Sequence, residues 1–137
     1  ASEMAGRPMP KQGAFVWTEI ASSDAAKCKQ FYKDIFSWKF HESDATQTGM
    51  EYMEFSSGGD QPVGGLYQIK SEWFDGDPPP PHFLSYVAVD DVDANAKLAT
   101  ELGATIIRGP MDIPNVGRIC IIQDPTGGMI ATFRPNI

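Results

Sequence analysis

The chain has 137 residues, 42% of them hydrophobic, and a net charge of −7. That is the length of one domain, able to bury roughly two-thirds of its unfolded surface without a disulfide or structural metal. The acidic balance repels phosphate backbones and anionic membrane surfaces, so neither nucleic acid nor a membrane is expected as a partner.

Ala1 to Gln12 has no apolar core of signal-peptide length, and no segment approaches the roughly 20 apolar residues of a membrane span. A loose tail is expected there, on a cytoplasmic protein. Phe15–Ala21 reads as a strand and Asp24–Phe36 as a helix capped by Ser22 or Ser23, with Cys28, Phe31, Tyr32, Ile35 and Phe36 forming one apolar stripe expected to be buried. Strand-like runs follow near Trp38–His41, Met50–Phe55 and Val63–Gln68. His41 is expected to face solvent. Ser71 to Asp77 and the four prolines Pro78 to Pro81 then form a connector, because consecutive prolines cannot donate to a sheet ladder. Trp73 and Phe74 within it are adjacent aromatics suited to covering a pocket or a subunit interface.

The second half predicts a strand at His82–Val89 and a helix over Val92–Leu102, opened by Asp90 or Asp91 and ended by Gly103, with Val92, Ala96, Ala99 and Leu102 inward. Strands are expected near Thr105–Arg108, Gly117–Gln123 and Met129–Arg134, the last fed by the turn Asp124-Pro125-Thr126-Gly127-Gly128. Cys28 and Cys120 lie in apolar contexts that suit buried thiols better than a bridge.

The halves nearly repeat. An offset of 67 positions places Trp17 on Leu84, Glu19 on Tyr86, Asp24 on Asp91, Phe31 on Leu98 and Ile35 on Leu102. Each half is therefore a βαβββ module, and pairing the two buries faces that neither could bury alone. The expected fold is α+β, two paired βαβββ modules forming a curved mixed sheet around a central cleft. Residues 1–12 make the tail, 13–69 the first module, 70–81 the linker and 82–137 the second module.

Phe15-Val16-Trp17-Thr18-Glu19-Ile20, Phe31-Tyr32-Lys33-Asp34-Ile35-Phe36-Ser37-Trp38, Val63-Gly64-Gly65-Leu66, Tyr86-Val87-Ala88-Val89-Asp90-Asp91-Val92 and Asp124-Pro125-Thr126-Gly127-Gly128 together resemble the vicinal oxygen chelate superfamily. That group includes glyoxalases, extradiol dioxygenases, epimerases and bleomycin-binding proteins. The resemblance places the family's metal-ligand positions on Trp17, Leu84, Ala131 and a residue at or near Gly65. None of these side chains offers a lone pair to a divalent cation. The resemblance thus implies the fold without the usual metal, and no cofactor is expected.

Strand alternation carries Glu19 to the face of Trp17, and His82 and Tyr86 to the face of Leu84. Glu19, Tyr86 and His82 are the candidate catalytic groups; desolvation of Glu19 in an apolar cleft would favour its neutral form, the condition for acid–base work near neutral pH. Trp17, Leu84, Met129, Ala131 and Phe133 are candidate ligand-lining residues for a flat or partly apolar small organic molecule, or else they close a solid core. Three functions compete: a metal-free ligand-binding protein; a metal-free lyase or isomerase using Glu19; and a metal-dependent glyoxalase-like lyase with displaced ligands drawn from Glu19, His82 and Glu51 or Glu54. A homodimer is expected.

Overall fold

The computed structural model describes residues 8–42 and 52–136. Among these residues the chain forms eight strands and two α-helices: β1 (Phe15–Ser22), α1 (Ala25–Phe36), β2 (Lys39–Glu42), β3 (Tyr52–Ser56), β4 (Gly64–Gln68), β5 (His82–Ala88), α2 (Val92–Glu101), β6 (Thr105–Ile113), β7 (Gly117–Gln123) and β8 (Met129–Pro135). The α+β class and the repeated βαβββ order are as expected. Met50 and Glu51, at the start of the expected third strand, lie outside the described residues. The second strand of the second half, β6, is longer than expected, running to Ile113 through two irregularities in its pairing with β7. The linker holds a single 3₁₀ turn, Ser71–Trp73.

Contacts divide the described residues into two compact units, one within Trp17–Leu84 and the other made of residues 8–16 together with residues 85–136. In the first unit the strands lie in the order β2-β3-β4-β1, with β1 parallel to β4 and the other pairs antiparallel. In the second the order is β5-β8-β7-β6, with β5 parallel to β8. Residues 8–14 join this second unit. Gly13 N–H donates to Ala88 O, Ala88 N–H donates to Ala14 O, and Gln12 Oε1 accepts from Asp90 N–H.

Each unit packs its helix on one face of its strands. Ile20, Phe55 and Leu66 form the first core, closed by Ala25, Cys28, Tyr32, Trp38, Phe40 and Met53. Val89, Val92, Ala96 and Cys120 form the second, flanked by Ile106 and Ile122. The helices begin alike. Asp24 accepts from Lys27 N–H and Asp91 from Ala94 N–H, satisfying otherwise orphaned amides. Asp24, not Ser22 or Ser23, is therefore the cap of α1; Ser22 Oγ instead accepts from Asp24 N–H. Gln68 ties the same end to β4, accepting from Ala25 N–H and donating to Ser23 O.

The helix burial expected from sequence is corrected on both helices. No residue of α1 is fully buried. Phe31, Ile35 and Phe36 are about half exposed, and so is Leu98, while Leu102 is 70% exposed. Ala25, Cys28 and Tyr32, one residue per turn, meet the first core and leave the flanks of the stripe uncovered. The thiols are free, Cys120 buried and Cys28 half-buried, and burial raises the pKa of both.

Arg118 joins β7 to α2 and β6, donating to both carboxylate oxygens of Asp93 and to Asp112. The turn before β8 is held by Asp124, which accepts from Thr126 N–H, Thr126 O–H and Gly128 N–H. These bonds, chiefly from the Thr126 side chain, hold its pKa below the usual carboxylate value. A depressed folded pKa stabilises the fold fully above the unfolded value, about 3.9, and this stabilisation is lost as pH falls through the folded value. Asp124→Asn should therefore lower stability at pH 7 and make little difference at pH 2, as read by urea melts. Leu66, with no exposed surface, provides a core test. Leu66→Ala should destabilise by about 2–5 kcal/mol, measured by chemical denaturation.

Candidate functional site

Register defines one face of the Trp17–Leu84 unit. Glu19 on β1 pairs with Gly65 on β4, Gly65 with Glu54 on β3, and Glu54 with His41 on β2; Ala21 and Tyr52 both pair with Tyr67. Residues paired across a ladder project to the same side, and alternation adds Trp17. The opposite side carries Ile20, Leu66 and Phe55 against α1. The face away from α1 is therefore aromatic and acidic: Trp17, Glu19, Tyr52, Glu54, Tyr67.

At its centre is a directed hydrogen-bond chain. The Trp17 Nε1–H donates to the Tyr52 hydroxyl over 2.8 Å, and the Tyr52 O–H donates to Glu19 Oε2 over 2.9 Å. An indole can only donate and a carboxylate can only accept, so the phenol between them has its polarity fixed. Hydrogen bonding to an ionised acceptor is the stronger kind. Tyr52 is buried, while Trp17 and Glu19 are partly accessible.

Glycine makes this possible. A Cβ at Gly65 would overlap the hydroxyl and ring of Tyr52, and a Cβ at Gly64 would overlap Thr18 O and the Phe55 ring. The Tyr52 phenol thus occupies the space into which a side chain at position 65 would project. A second buried acid lies on the same face. Glu54 is 2% exposed and its Oε1 lies 3.1 Å from His41 Nε2. His41 is outward-facing as expected, with its side chain 52% exposed, yet it is a partner to a buried carboxylate.

The sequence candidates divide between the units. In Trp17–Leu84, the structure joins Trp17 and Glu19 through Tyr52. Leu84 is buried on β5, and His82 is exposed at its start with Nδ1 2.9 Å from Pro80 O, anchoring the polyproline run. In the other unit, Tyr86 and Phe133 are buried edge to face with ring centres 6.4 Å apart. Ala131, fully buried, pairs with Tyr86, while Met129, on the same side of β8, is 46% exposed. Tyr52, Glu54 and Gly65 are the residues that sequence reasoning undervalued. The signals for them were a tyrosine and an acid two apart in an otherwise apolar strand, and a glycine pair inside a strand.

Register also tests the metal positions that the resemblance implies. Glu19 is to Gly65 in the first unit as Tyr86 is to Ala131 in the second, so Gly65 and Ala131 are equivalent positions. Trp17, Gly65, Leu84 and Ala131 provide no oxygen, nitrogen or sulfur lone pair suited to a divalent ion. These residues do not fit the metal. Among the described residues no group of three or more His, Cys, Asp or Glu side chains is arranged to hold one. Glu51, a candidate displaced ligand, lies outside the described residues.

Residues 14–132 match the model of the Glyoxalase/Bleomycin resistance protein/Dioxygenase superfamily. The chain is 32% identical over 127 residues to the protein named "Putative glyoxylase CFP32" of Mycobacterium tuberculosis, covering 90% of this chain and 44% of that protein. It is 31% identical over 134 residues to the anthracycline biosynthesis protein DnrV of Streptomyces peucetius, covering 91% and 48%. The chain thus spans about half the length of these relatives. Among solved structures, methylmalonyl-CoA epimerase from Mycobacterium tuberculosis matches with a TM-score of 0.61 and 17% identity, over 91% of this chain and 89% of that one. Homoprotocatechuate 2,3-dioxygenase from B. fuscum, in its H200Q variant, matches with a TM-score of 0.63 and 18% identity, over 96% and 35%. At such identities the two structures establish a shared fold.

Gly65→Ala tests the packing beneath the hydrogen-bond chain. The added methyl must displace Tyr52, so a loss of about 1–3 kcal/mol is expected. It should be accompanied by a shift in tryptophan emission that is absent from Trp17→Phe carrying the same change.

Proposed function

The chain belongs to the Glyoxalase/Bleomycin resistance protein/Dioxygenase superfamily, and on that premise we propose that it binds a small, partly apolar organic molecule without the metal used by many members. The observation that carries this reading is the Trp17–Tyr52–Glu19 chain. Where a metal-dependent member would present a ligand side chain, this protein has Gly65 overlaid by the Tyr52 phenol. The chain replaces a cationic centre with an acceptor carboxylate beside aromatic surface. Such a face suits a ligand that offers a hydrogen-bond donor and an apolar body. The relatives named for anthracycline biosynthesis support an organic ligand.

One observation favours a second reading, a metal-free isomerase or lyase. The Tyr52 O–H is already aligned on Glu19, so Glu19 could accept a proton from a bound substrate while Tyr52 stabilises the resulting charge distribution.

One substitution separates the two. Glu19→Gln keeps the shape and removes the proton-accepting group. For an enzyme, turnover should vanish while binding, read by quenching of tryptophan fluorescence that Trp17→Phe removes, persists within about tenfold. For a binding protein, affinity alone should change. On either reading chelator treatment leaves binding and melting temperature unchanged. One equivalent of tightly held Zn, Ni, Mn or Fe per chain, lost in EDTA together with several degrees of stability, would overturn both. The exposed Phe31, Ile35 and Phe36 of α1 support a homodimer within the same proposal; sedimentation showing only monomer at tens of micromolar would remove that part.

A further inference from the structure

We propose that the connector, residues 71–83, is a linear recognition segment whose polyproline run docks into an aromatic-lined, basic-rimmed groove on another protein. This is independent of the small-molecule reading above. The connector lies in the open. From Ser71 to Phe83 every residue except Pro79 is exposed, and Trp73, Phe74 and Phe83 keep 44%, 40% and 53% of their surface accessible.

Its shape is set in advance. Each proline fixes its own φ and pushes the residue before it towards extended backbone, which confines Pro78, Pro79 and Pro80 to polyproline geometry. The four bonds leading into Pro78 to Pro81 are trans, and the chain is already extended at Phe74, with φ −127° and ψ 146°. With three residues per turn, Pro78 and Pro81 share one ridge, about 9 Å apart. Both are exposed, as is Pro80, while half-buried Pro79 turns inward. The run is held at both ends. Trp73 rests on Tyr67 with ring centres 6.1 Å apart, and His82 Nδ1 lies 2.9 Å from Pro80 O. A segment held in its bound shape loses little conformational freedom on docking.

Joining β4 to β5 accounts for the stiffness of the run but not for its composition. A spacer needs no exposed aromatics, yet Phe74 and Phe83 flank the prolines with about half their surface open. A polyproline ridge with apolar anchors on either side is what aromatic grooves recognise. Charge then selects among such grooves. Residues 71–83 include Glu72, Asp75 and Asp77 and no Lys or Arg. A groove rimmed by acids repels this segment, whereas one rimmed by Lys or Arg complements it.

NMR titration of the isotope-labelled intact chain with two probe domains tests the inference: an EVH1 domain chosen for a groove rimmed by Lys and Arg, and an SH3 domain chosen for one rimmed by Asp and Glu. The EVH1 domain should bind about fivefold tighter or more, and should move the signals of Trp73 to Asp77, His82 and Phe83 while leaving those of α2 and β8 in place. Pro78→Ala combined with Pro81→Ala should weaken this binding about fivefold or more, and inward-facing Pro79→Ala by less than about threefold. Asp75→Lys combined with Asp77→Lys should reverse the preference between the domains. No EVH1 binding at millimolar concentration, SH3 binding as tight or tighter, or signals that move outside the connector instead would each overturn the inference. So would a Pro78, Pro81 variant that binds as well as the unaltered chain, or a preference that the two lysines leave unchanged. The signal map uses the unaltered chain, so a variant that fails to fold does not remove the test.

Discussion

The close approach of β3 aromatics to the glycine pair of β4 is the constraint on which the first unit depends. Gly64 and Gly65 alternate to opposite faces, and each is overlaid by an aromatic ring from β3, Phe55 on the helix side and Tyr52 on the other. A side chain at either position would push a ring away from the strand. The pair therefore determines two things at once. Phe55 can close the core beneath α1, where it stacks on Trp38 with ring centres 4.6 Å apart. Tyr52 can lie low enough for its hydroxyl to stand between Trp17 and Glu19. Glycine interiors usually weaken strands; here the loss of a side chain is offset by ring burial on both faces.

The chemistry of the face away from α1 follows from the donor and acceptor types in that arrangement. An indole donor, a phenol and a carboxylate form a chain with one consistent direction, and the buried Glu54 is partnered by His41 at the sheet edge. Buried polar groups left without partners would cost about 1–3 kcal/mol each, and among the described residues no buried side-chain nitrogen or oxygen lacks one. The face is thus a satisfied polar network in aromatic surroundings. It is poorly suited to hold a divalent cation at the positions that the fold offers for one.

The internal repeat has physical content beyond sequence similarity. Asp24 and Asp91, 67 residues apart, cap their helices through the same bond to an amide three residues on. Phe31 and Leu98 are both about half exposed, as are Ile35 and, more strongly, Leu102. The repeat therefore preserves helix starts and uncovered apolar positions alike. At the site the halves have diverged. The glycine overlaid by Tyr52 in one corresponds to the buried Ala131, opposite Tyr86, in the other.

Much of this protein could be read from its sequence, because the features concerned are local. Strand alternation, helical periodicity, Asp caps and the 67-residue repeat depend on neighbours a few positions away, and they yielded the two βαβββ modules and the placing of Trp17 and Glu19 on one face. What only the tertiary structure decided depends on residues far apart. Periodicity identified the stripe Phe31, Ile35 and Phe36 on α1, but the number of apolar positions a helix can present exceeds what a four-stranded face covers, so burial of the flanks could not be inferred. Tyr52 lies 33 residues from Glu19 and 35 from Trp17. Its bond to both exists only because β4, with its two glycines, inserts between β1 and β3 and leaves room for the ring to cross. A hydrogen bond made across an intervening strand leaves no period in the chain; it is set by the order of strands and by the side chain that one of them lacks.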